Sequence, residues 1–342
     1  MSKPRRILIL KLASMGDLVH LLPALTDAKK ADPNLIFDWV IDASFAEVAS
    51  WHRATHTTFL TKHRKWRSSF FTKKTRQEFS SFTHQLKKKS YDLIIDAQGN
   101  IKTGLLSLLA KGKTVGFDSV SIPEWGGHFF YNKKISSSKS LHAITRLREL
   151  FAKALDYPLP TTPPDYQIDI DKLIPPAISI PPTYLFFVPL ASYPSKLWPD
   201  SSWDQLIKEA KVFNCPIFIP WGNEKEKERA LKLSHTTNVI VLPKLSLSEI
   251  GYLILHAKAV VSMDTGLSHI AAALDTPTIT LYGPTDPALT GTLGKNQIHL
   301  VASCSCFGKK ICTQAKESNC LFHITPSQVM IELQKILSNK TN

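Results

Sequence analysis

Apolar residues in this chain fall into two alternating kinds of stretch. Short dense runs read as strands buried on both faces, and longer stretches with apolar residues three and four apart read as helices. In the first half the pattern predicts strands over 5–11, 37–41, 57–61, 91–96 and 114–117. It predicts helices over 17–31, 45–51, 78–89, 101–110 and 142–156, with Pro23 a blemish that could kink the first. Residues 62–75 read as a basic loop interleaved with aromatics. In the second half strands are expected over 184–189, 216–220, 239–242, 260–262 and 277–282, and helices over 201–213, 224–233, 246–256, 267–274 and 326–337. Residues 283–287 read as a rigid loop. Ser246 and Glu249 have capping-box spacing.

Strand–helix alternation predicts doubly wound parallel sheets. It stops at Tyr157. Residues 157–182 hold eight of the 22 prolines, and proline suits neither helix interior nor central strand. The expected organisation is therefore an N-terminal Rossmann-like domain over 1–157, a proline-rich linker over 158–182 and a second Rossmann-like domain over 183–324. A C-terminal helix over 325–342 could pack back on the first domain. Two such α/β domains facing each other leave a cleft, the usual place for a ligand.

A length of 342 residues suits two domains, and 43% hydrophobic content suits soluble cores. No apolar run reaches transmembrane length. The basic, apolar start MSKPRRILIL is too short and too soon broken by Lys11 to be a signal peptide, so it reads as a first strand of a cytoplasmic protein.

Charge changes the picture more. Of the +14 net charge, residues 1–160 carry 26 Lys/Arg against 13 Asp/Glu, and residues 161–342 carry 16 against 15. An anionic partner for the first half is implied: nucleic acid, an anionic membrane surface or an acidic substrate. The alternative is a solvated basic face. Cys304, Cys306, Cys312 and Cys320 do not match the paired spacing of common zinc sites, and Cys215 stands apart.

Chemistry must sit in loops after strands, because G-x-G-x-x-G, Walker, H-E-x-x-H and G-x-S-x-G signatures are absent from the sequence. The 260–287 stretch joins a strand, the turn Asp264-Thr265-Gly266, a helix start and a second strand, which makes an anion site possible. Asp17, behind Ser14-Met15-Gly16, could be a general base or simply cap its helix. Lys196 could neutralise phosphate or be a surface lysine. Glu224, Glu226 and Glu228 could bind ribose hydroxyls or be solvated.

The run Asp264-Thr265-Gly266-Leu267-Ser268-His269, with Ala271 to Asp275 and Tyr282-Gly283-Pro284-Thr285-Asp286-Pro287, resembles the hallmark of the family 9 glycosyltransferases, the lipopolysaccharide heptosyltransferases. Lys11, Ser14 to Asp17, Leu22 to Leu25, Phe37 to Val40, Asp92 to Gly99 and Phe130 to Asn132 are similar to members that add the first heptose. The resemblance implies a GT-B fold, with the acceptor on the first domain and the nucleotide sugar on the second. It implies transfer of L-glycero-D-manno-heptose from ADP-heptose to the inner Kdo of Kdo2-lipid A, with inversion.

By that analogy Asp17 is the base and Lys196 stabilises the leaving diphosphate. Ser192, Thr265, Gly266 and Leu267 cradle the diphosphate, Glu226 binds ribose, Asp264 orients the sugar and His269 braces the loop. Ser14, Gly16, Arg64, Lys65 and Arg67 would meet the acceptor, with Trp66 either touching sugar or packing inside. No metal and no cofactor are expected. The partners are the ADP-sugar, Kdo2-lipid A and the anionic inner face of the inner membrane, not nucleic acid. The cysteine-rich tail is more similar to members that add a second heptose, which keeps that acceptor open.

Overall fold

A computed structural model describes residues 4–69, 71–235, 238–303 and 320–338. The chain divides into two compact units, Met1–Asp169 and Ile170–Asn342.

The first unit contains β1 (Arg6–Leu10), α1 (Met15–Ala31), β2 (Ile36–Asp42), α2 (Ala46–Ser50), β3 (Thr55–Thr61), α3 (His63–Ser68), α4 (Lys73–Lys87), β4 (Leu93–Asp96), α5 (Ile101–Ser107), β5 (Thr114–Phe117), β6 (Lys133–Ile135) and α6 (Ala143–Leu155). Its six strands form a parallel sheet in the order β3-β2-β1-β4-β5-β6. β1 lies at the centre, and Ile7 to Leu10 are fully buried, which is why it reads as a continuous apolar run.

The second unit contains β7 (Leu185–Val188), α7 (Asp200–Ala210), β8 (Ile217–Ile219), α8 (Glu224–Leu233), β9 (Val239–Val241), α9 (Leu247–His256), β10 (Ala259–Met263), α10 (Gly266–Ala273), β11 (Thr278–Tyr282), α11 (Pro287–Thr290), β12 (Gln297–Val301) and α12 (Pro326–Ser338). Its sheet is also parallel, in the order β12-β11-β10-β7-β8-β9. Counted from its own first strand, this is the same doubly wound order as in the first unit. Each sheet reverses direction once, between β1 and β4 in the first and between β7 and β10 in the second. Ligands of open α/β sheets bind outside the strand carboxyl ends at such switch points.

Several elements depart from the sequence expectation. Residues 62–75, expected as a loop, include the short helix α3 and the start of α4 at Lys73. Pro23 does not end α1; the helix runs on to Ala31 with Pro23 buried. β6 and β12 are strands at sheet edges, and α11 begins at Pro287, the last residue of the expected 283–287 loop. The proline-rich segment is shared between the units. Asp165 pairs with Lys30, Ile168 bridges His52 and Asp169 pairs with Arg53, whereas Ile174 N–H donates to the Ser248 carbonyl. Within the second unit the C-terminal helix α12 lies on α7, β10 and β11.

Candidate functional site

In the first unit the loops leaving β1, β2 and β4 meet at one end of the sheet. Ser14 is the N-cap of α1 and Asp17 is its third residue, so Asp17 closes a capping box and is not itself the N-cap. Its Oδ2 accepts from Ser14 N–H at 2.9 Å and from Ser14 Oγ at 2.8 Å. The carboxylate is thereby fixed at a helix N-terminus, half-buried, with Ser14 exposed and Gly16 buried beside it. Lys11 is buried, and its ammonium donates to the Ala97 carbonyl at 3.1 Å. Gln98 Oε1 accepts from the Leu12 and Ala13 amides at 3.0 and 3.2 Å, tying the β4 turn to the segment that leads into Asp17.

That turn is built on Asp96. Its carboxylate is fully buried and accepts from Gln98 N–H, Gly99 N–H and, at 2.7 Å, the Tyr131 hydroxyl. Burial pushes the Asp96 carboxyl above its usual range, with the hydrogen bonds from Gly99 and Tyr131 opposing. Gly99 takes a φ of +70°, a left-handed conformation that favours glycine, and a side chain there would also strike Pro123.

At the end of β2, Asp42 Oδ2 lies 3.0 Å from His63 Nδ1 and docks the start of α3. Lys65 on α3 is exposed and lies 3.6 Å from Glu78. Trp66 packs inside: it joins the core with Phe79 and Phe82 and donates from Nε1 to Glu78 at 3.1 Å. The side chains of Arg64 and Arg67 lie outside the described residues, as do Cys304, Cys306 and Cys312; Cys320 is buried.

In the second unit the loops after β7 and β10 meet in the same way, because these strands are direct neighbours with Val188 opposite Ser262. Lys196 Nζ lies 2.5 Å from Asp264 Oδ2, and His269 Nε2 stands 4.0 Å from the other oxygen. Asp264 and His269 are almost fully buried, while Lys196 retains solvent access. Thr265 caps α10: its Oγ1 accepts from Leu267 N–H, and Ser268 Oγ closes the reciprocal bond to Thr265 N–H. Beneath this turn the Tyr282 hydroxyl is pushed up to about 12 by burial, with the Asp264 charge acting in the same direction. One strand further along, Glu226 follows β8. Its Oε2 accepts from Gly222 N–H at 2.6 Å, and its own N–H is capped by Asn223. The carboxyl end of a second strand is where nucleotide folds hold the acid that binds ribose. Ser192 is exposed in the loop after β7.

The structure thus groups Ser14, Gly16 and Asp17 in one unit and Lys196, Asp264, Thr265, Gly266, Leu267 and His269 in the other, each group at a switch point. Sequence reasoning did not single out Gln98 or Asp42. A polar residue beside a glycine turn after a strand was the available signal for Gln98; Asp42 closed a strand with no partner visible in sequence. Among the described residues no cluster of three or more His, Cys, Asp or Glu is arranged to hold a metal ion, and no helix is long and apolar enough to cross a membrane.

The family model for glycosyltransferase family 9 (heptosyltransferase) matches residues 79–319. Lipopolysaccharide heptosyltransferase 1 of Pseudomonas aeruginosa is 37% identical over 349 residues, covering 97% of this chain and 98% of that protein. The structure of E. coli heptosyltransferase WaaC with ADP superposes with a TM-score of 0.87 at 39% identity, over 97% of this chain and 99% of that one. The same enzyme with ADP-2-deoxy-2-fluoro heptose gives 0.83 over 96% and 99%. By contrast, lipopolysaccharide heptosyltransferase 2 of Salmonella typhimurium is 30% identical over 164 residues, 45% of this chain and 47% of that protein. With its two doubly wound domains, the chain is a glycosyltransferase of GT-B fold and belongs to family 9, the heptosyltransferases.

Proposed function

We propose that the chain transfers L-glycero-D-manno-heptose from ADP-L-glycero-D-manno-heptose to the inner Kdo of Kdo2-lipid A, with inversion at the anomeric carbon. The observation that carries this reading is sequence identity: type 1 enzymes are 37% and 43% identical over 97% and 86% of the chain, whereas a type 2 enzyme aligns in sequence over 45% of it, and the E. coli heptosyltransferase II structure covers 98% of the chain at only 21% identity.

In the proposed reaction Asp17 takes the proton of the acceptor hydroxyl as its oxygen attacks the anomeric carbon. The bond from that carbon to the diphosphate oxygen breaks, and ADP leaves. Asp17 suits a base because the capping box holds its carboxylate in one orientation. Lys196 stabilises the charge growing on the diphosphate. Its pairing with Asp264 fixes the ammonium before the charge develops, which is the condition for electrostatic preorganisation. Ser192 and the turn Thr265-Gly266-Leu267 receive the diphosphate oxygens at the α10 N-terminus, which would take over the Thr265 and Leu267 amides from their capping partners. Glu226 binds the ribose, Asp264 also orients the sugar, and His269 braces Asp264.

Ser14 and Gly16 flank the acceptor, whose carboxylates and phosphates Arg64, Lys65 and Arg67 meet. The reaction uses no metal and no organic cofactor. The protein works at the cytoplasmic face of the inner membrane, held there peripherally by its basic first domain, and its anionic partner is this surface, not nucleic acid.

The test is a transfer assay with ADP-heptose and two acceptors, Kdo2-lipid A and the same lipid already carrying one heptose, each with and without EDTA. Transfer to the first acceptor, unaffected by EDTA, is expected. Preferential use of the second would overturn the acceptor assignment in favour of second-heptose addition, and loss of activity in EDTA would overturn the metal-free reading.

A further inference from the structure

The first domain carries an apolar surface that neither loop cluster uses. Ile101, Leu105 and Leu108 stand at i, i+4 and i+7, on one face of α5 and its C-cap. All three are exposed, Leu105 to 52% and Leu108 to 64%. The segment Gly127–Phe130 packs on the same helix. Gly104 allows this, since any side chain there would overlap the Phe130 ring, and the atoms nearest a side chain at Gly126 are those of Ile101.

This contact presents Trp125 and Phe129 beside Ile101, 69% and 65% exposed, with their rings 5.5 Å apart edge to face. Exposed Lys102 lies within α5, and exposed Lys111 and Lys113 follow its C-terminal end, against the exposed carboxylate of Glu124. The patch adjoins the switch point of its own sheet. Glu124 N–H donates to the Gly99 carbonyl at 3.1 Å, and the next residue back, Gln98, binds the Leu12 and Ala13 amides that lead into Asp17.

Two exposed aromatics and three exposed aliphatics on α5 and the segment packed against it mark an interaction surface. Its composition matches the interfacial layer of an anionic bilayer, where aromatic rings sit at headgroup level and lysines meet lipid phosphates. We propose that Ile101, Leu105, Leu108, Trp125 and Phe129 form a wedge that inserts into an anionic leaflet, with Lys102, Lys111 and Lys113 on its rim. The wedge would bring a lipid-linked hydroxyl to the carboxyl ends of β1 and β4. This placement rests on the proposed acceptor, whereas insertion itself does not.

The experiment follows the full chain with phosphatidylglycerol-containing vesicles, with no donor or acceptor present. The wild type is expected to co-sediment with them, and its tryptophan emission to shift to the blue. Of the seven tryptophans, Trp39, Trp51, Trp198 and Trp203 are fully buried, Trp66 is nearly so and Trp221 is half-buried in the second unit, so a shift that disappears in Trp125→Phe reports on Trp125. The variant Leu105→Ser/Trp125→Ser is expected to lose vesicle affinity by about tenfold or more, and Trp125→Phe to keep affinity while losing the spectral shift. Transfer to a vesicle-embedded acceptor should fall with vesicle affinity, and transfer to a deacylated, water-soluble acceptor should not change. Equal vesicle binding by wild type and Leu105→Ser/Trp125→Ser overturns the wedge. So does a wild type that self-associates through this face, with the double variant monomeric and still vesicle-bound, since the occupant is then a second copy. If vesicle binding depends on the patch but no heptose is transferred to either acceptor, the proposed reaction fails and the wedge stands.

Discussion

At the scale of single residues, the two loop clusters use charge differently from a solvated surface. Lys196 reads in sequence as either a phosphate ligand or a surface lysine. The structure shows it committed to Asp264, a carboxylate almost removed from water. Lys196→Met is therefore expected to lower kcat for transfer by about 10²–10³-fold, the range for losing one preorganised electrostatic donor. Steady-state rates at saturating donor measure this, and an unchanged kcat would make the lysine structural.

Asp38 shows a second use of charge, without catalysis. It is fully buried and receives Arg6 at 2.9 Å and Lys89 at 3.0 Å. Burial is the largest influence and pushes its carboxyl up, but the hydrogen bonds and charges of Lys89 and Arg6 together hold it below the ordinary 3.8. The unfolded chain thus takes up this proton first as pH falls. The contribution of Asp38 to stability is full above 3.8 and is lost as the pH drops below it. Urea midpoints between pH 6 and pH 3 should decline less steeply for Asp38→Asn than for the wild type.

Asp17 itself was only half legible. Its place after the first strand was visible, and so was a capping role. That Ser14 caps while Asp17 closes the box depends on where α1 begins, and Met15 carries no sequence signal for a helix start. Gln98 was less legible still, because its two bonds reach residues 86 and 85 positions away.

At the scale of elements, the central strands were legible because burial on both faces makes them uniformly apolar. The edges were not. β6 is Lys-Lys-Ile with both lysines exposed, and β12 is half-buried up to an exposed Val301, so neither shows the dense run that marked the others. α3 was hidden by its own charge: Trp66 is the one large apolar residue in His-Arg-Lys-Trp-Arg-Ser, too little for a helical period.

Helix packing in the first domain also conceals an ion pair that no pattern predicts. Arg148 on α6 donates from Nε to Asp27 on α1 at 2.6 Å and from Nη2 to its other oxygen at 3.3 Å, both side chains being buried. Its remaining Nη1 reaches the Thr162 carbonyl at 2.9 Å. Arg148→Met leaves a buried carboxylate without its partner and is expected to destabilise the fold by about 3–5 kcal/mol. Adding Asp27→Leu should restore part of this, as read by denaturant midpoints. A single-variant loss under ~1 kcal/mol would show that the pair is solvated.

At the scale of the whole molecule, two sheets of identical winding present two switch points, and each collects the residues proposed to serve transfer from its domain. The duplication was legible from alternating elements and the prolines between them. The division at Asp169 was not, because Asp165 and Asp169 attach much of the proline-rich segment to the first domain through cations on α1 and before β3. The charge asymmetry also belongs to this scale. It locates the basic excess in the half that carries Asp17, where the proposed acceptor, bearing carboxylates and phosphates, would draw on it.

The central claim is that the base comes from the first domain and the donor site from the second. Asp17→Asn tests it most directly, since asparagine keeps a carbonyl oxygen to accept the Ser14 bonds but cannot take the proton. ADP affinity by calorimetry and single-turnover transfer from ADP-heptose to Kdo2-lipid A are measured on the same preparation. The account predicts unchanged ADP affinity with transfer slowed by about 10²–10⁴-fold, the contribution of a positioned general base. Transfer within a few-fold of the wild type would contradict it.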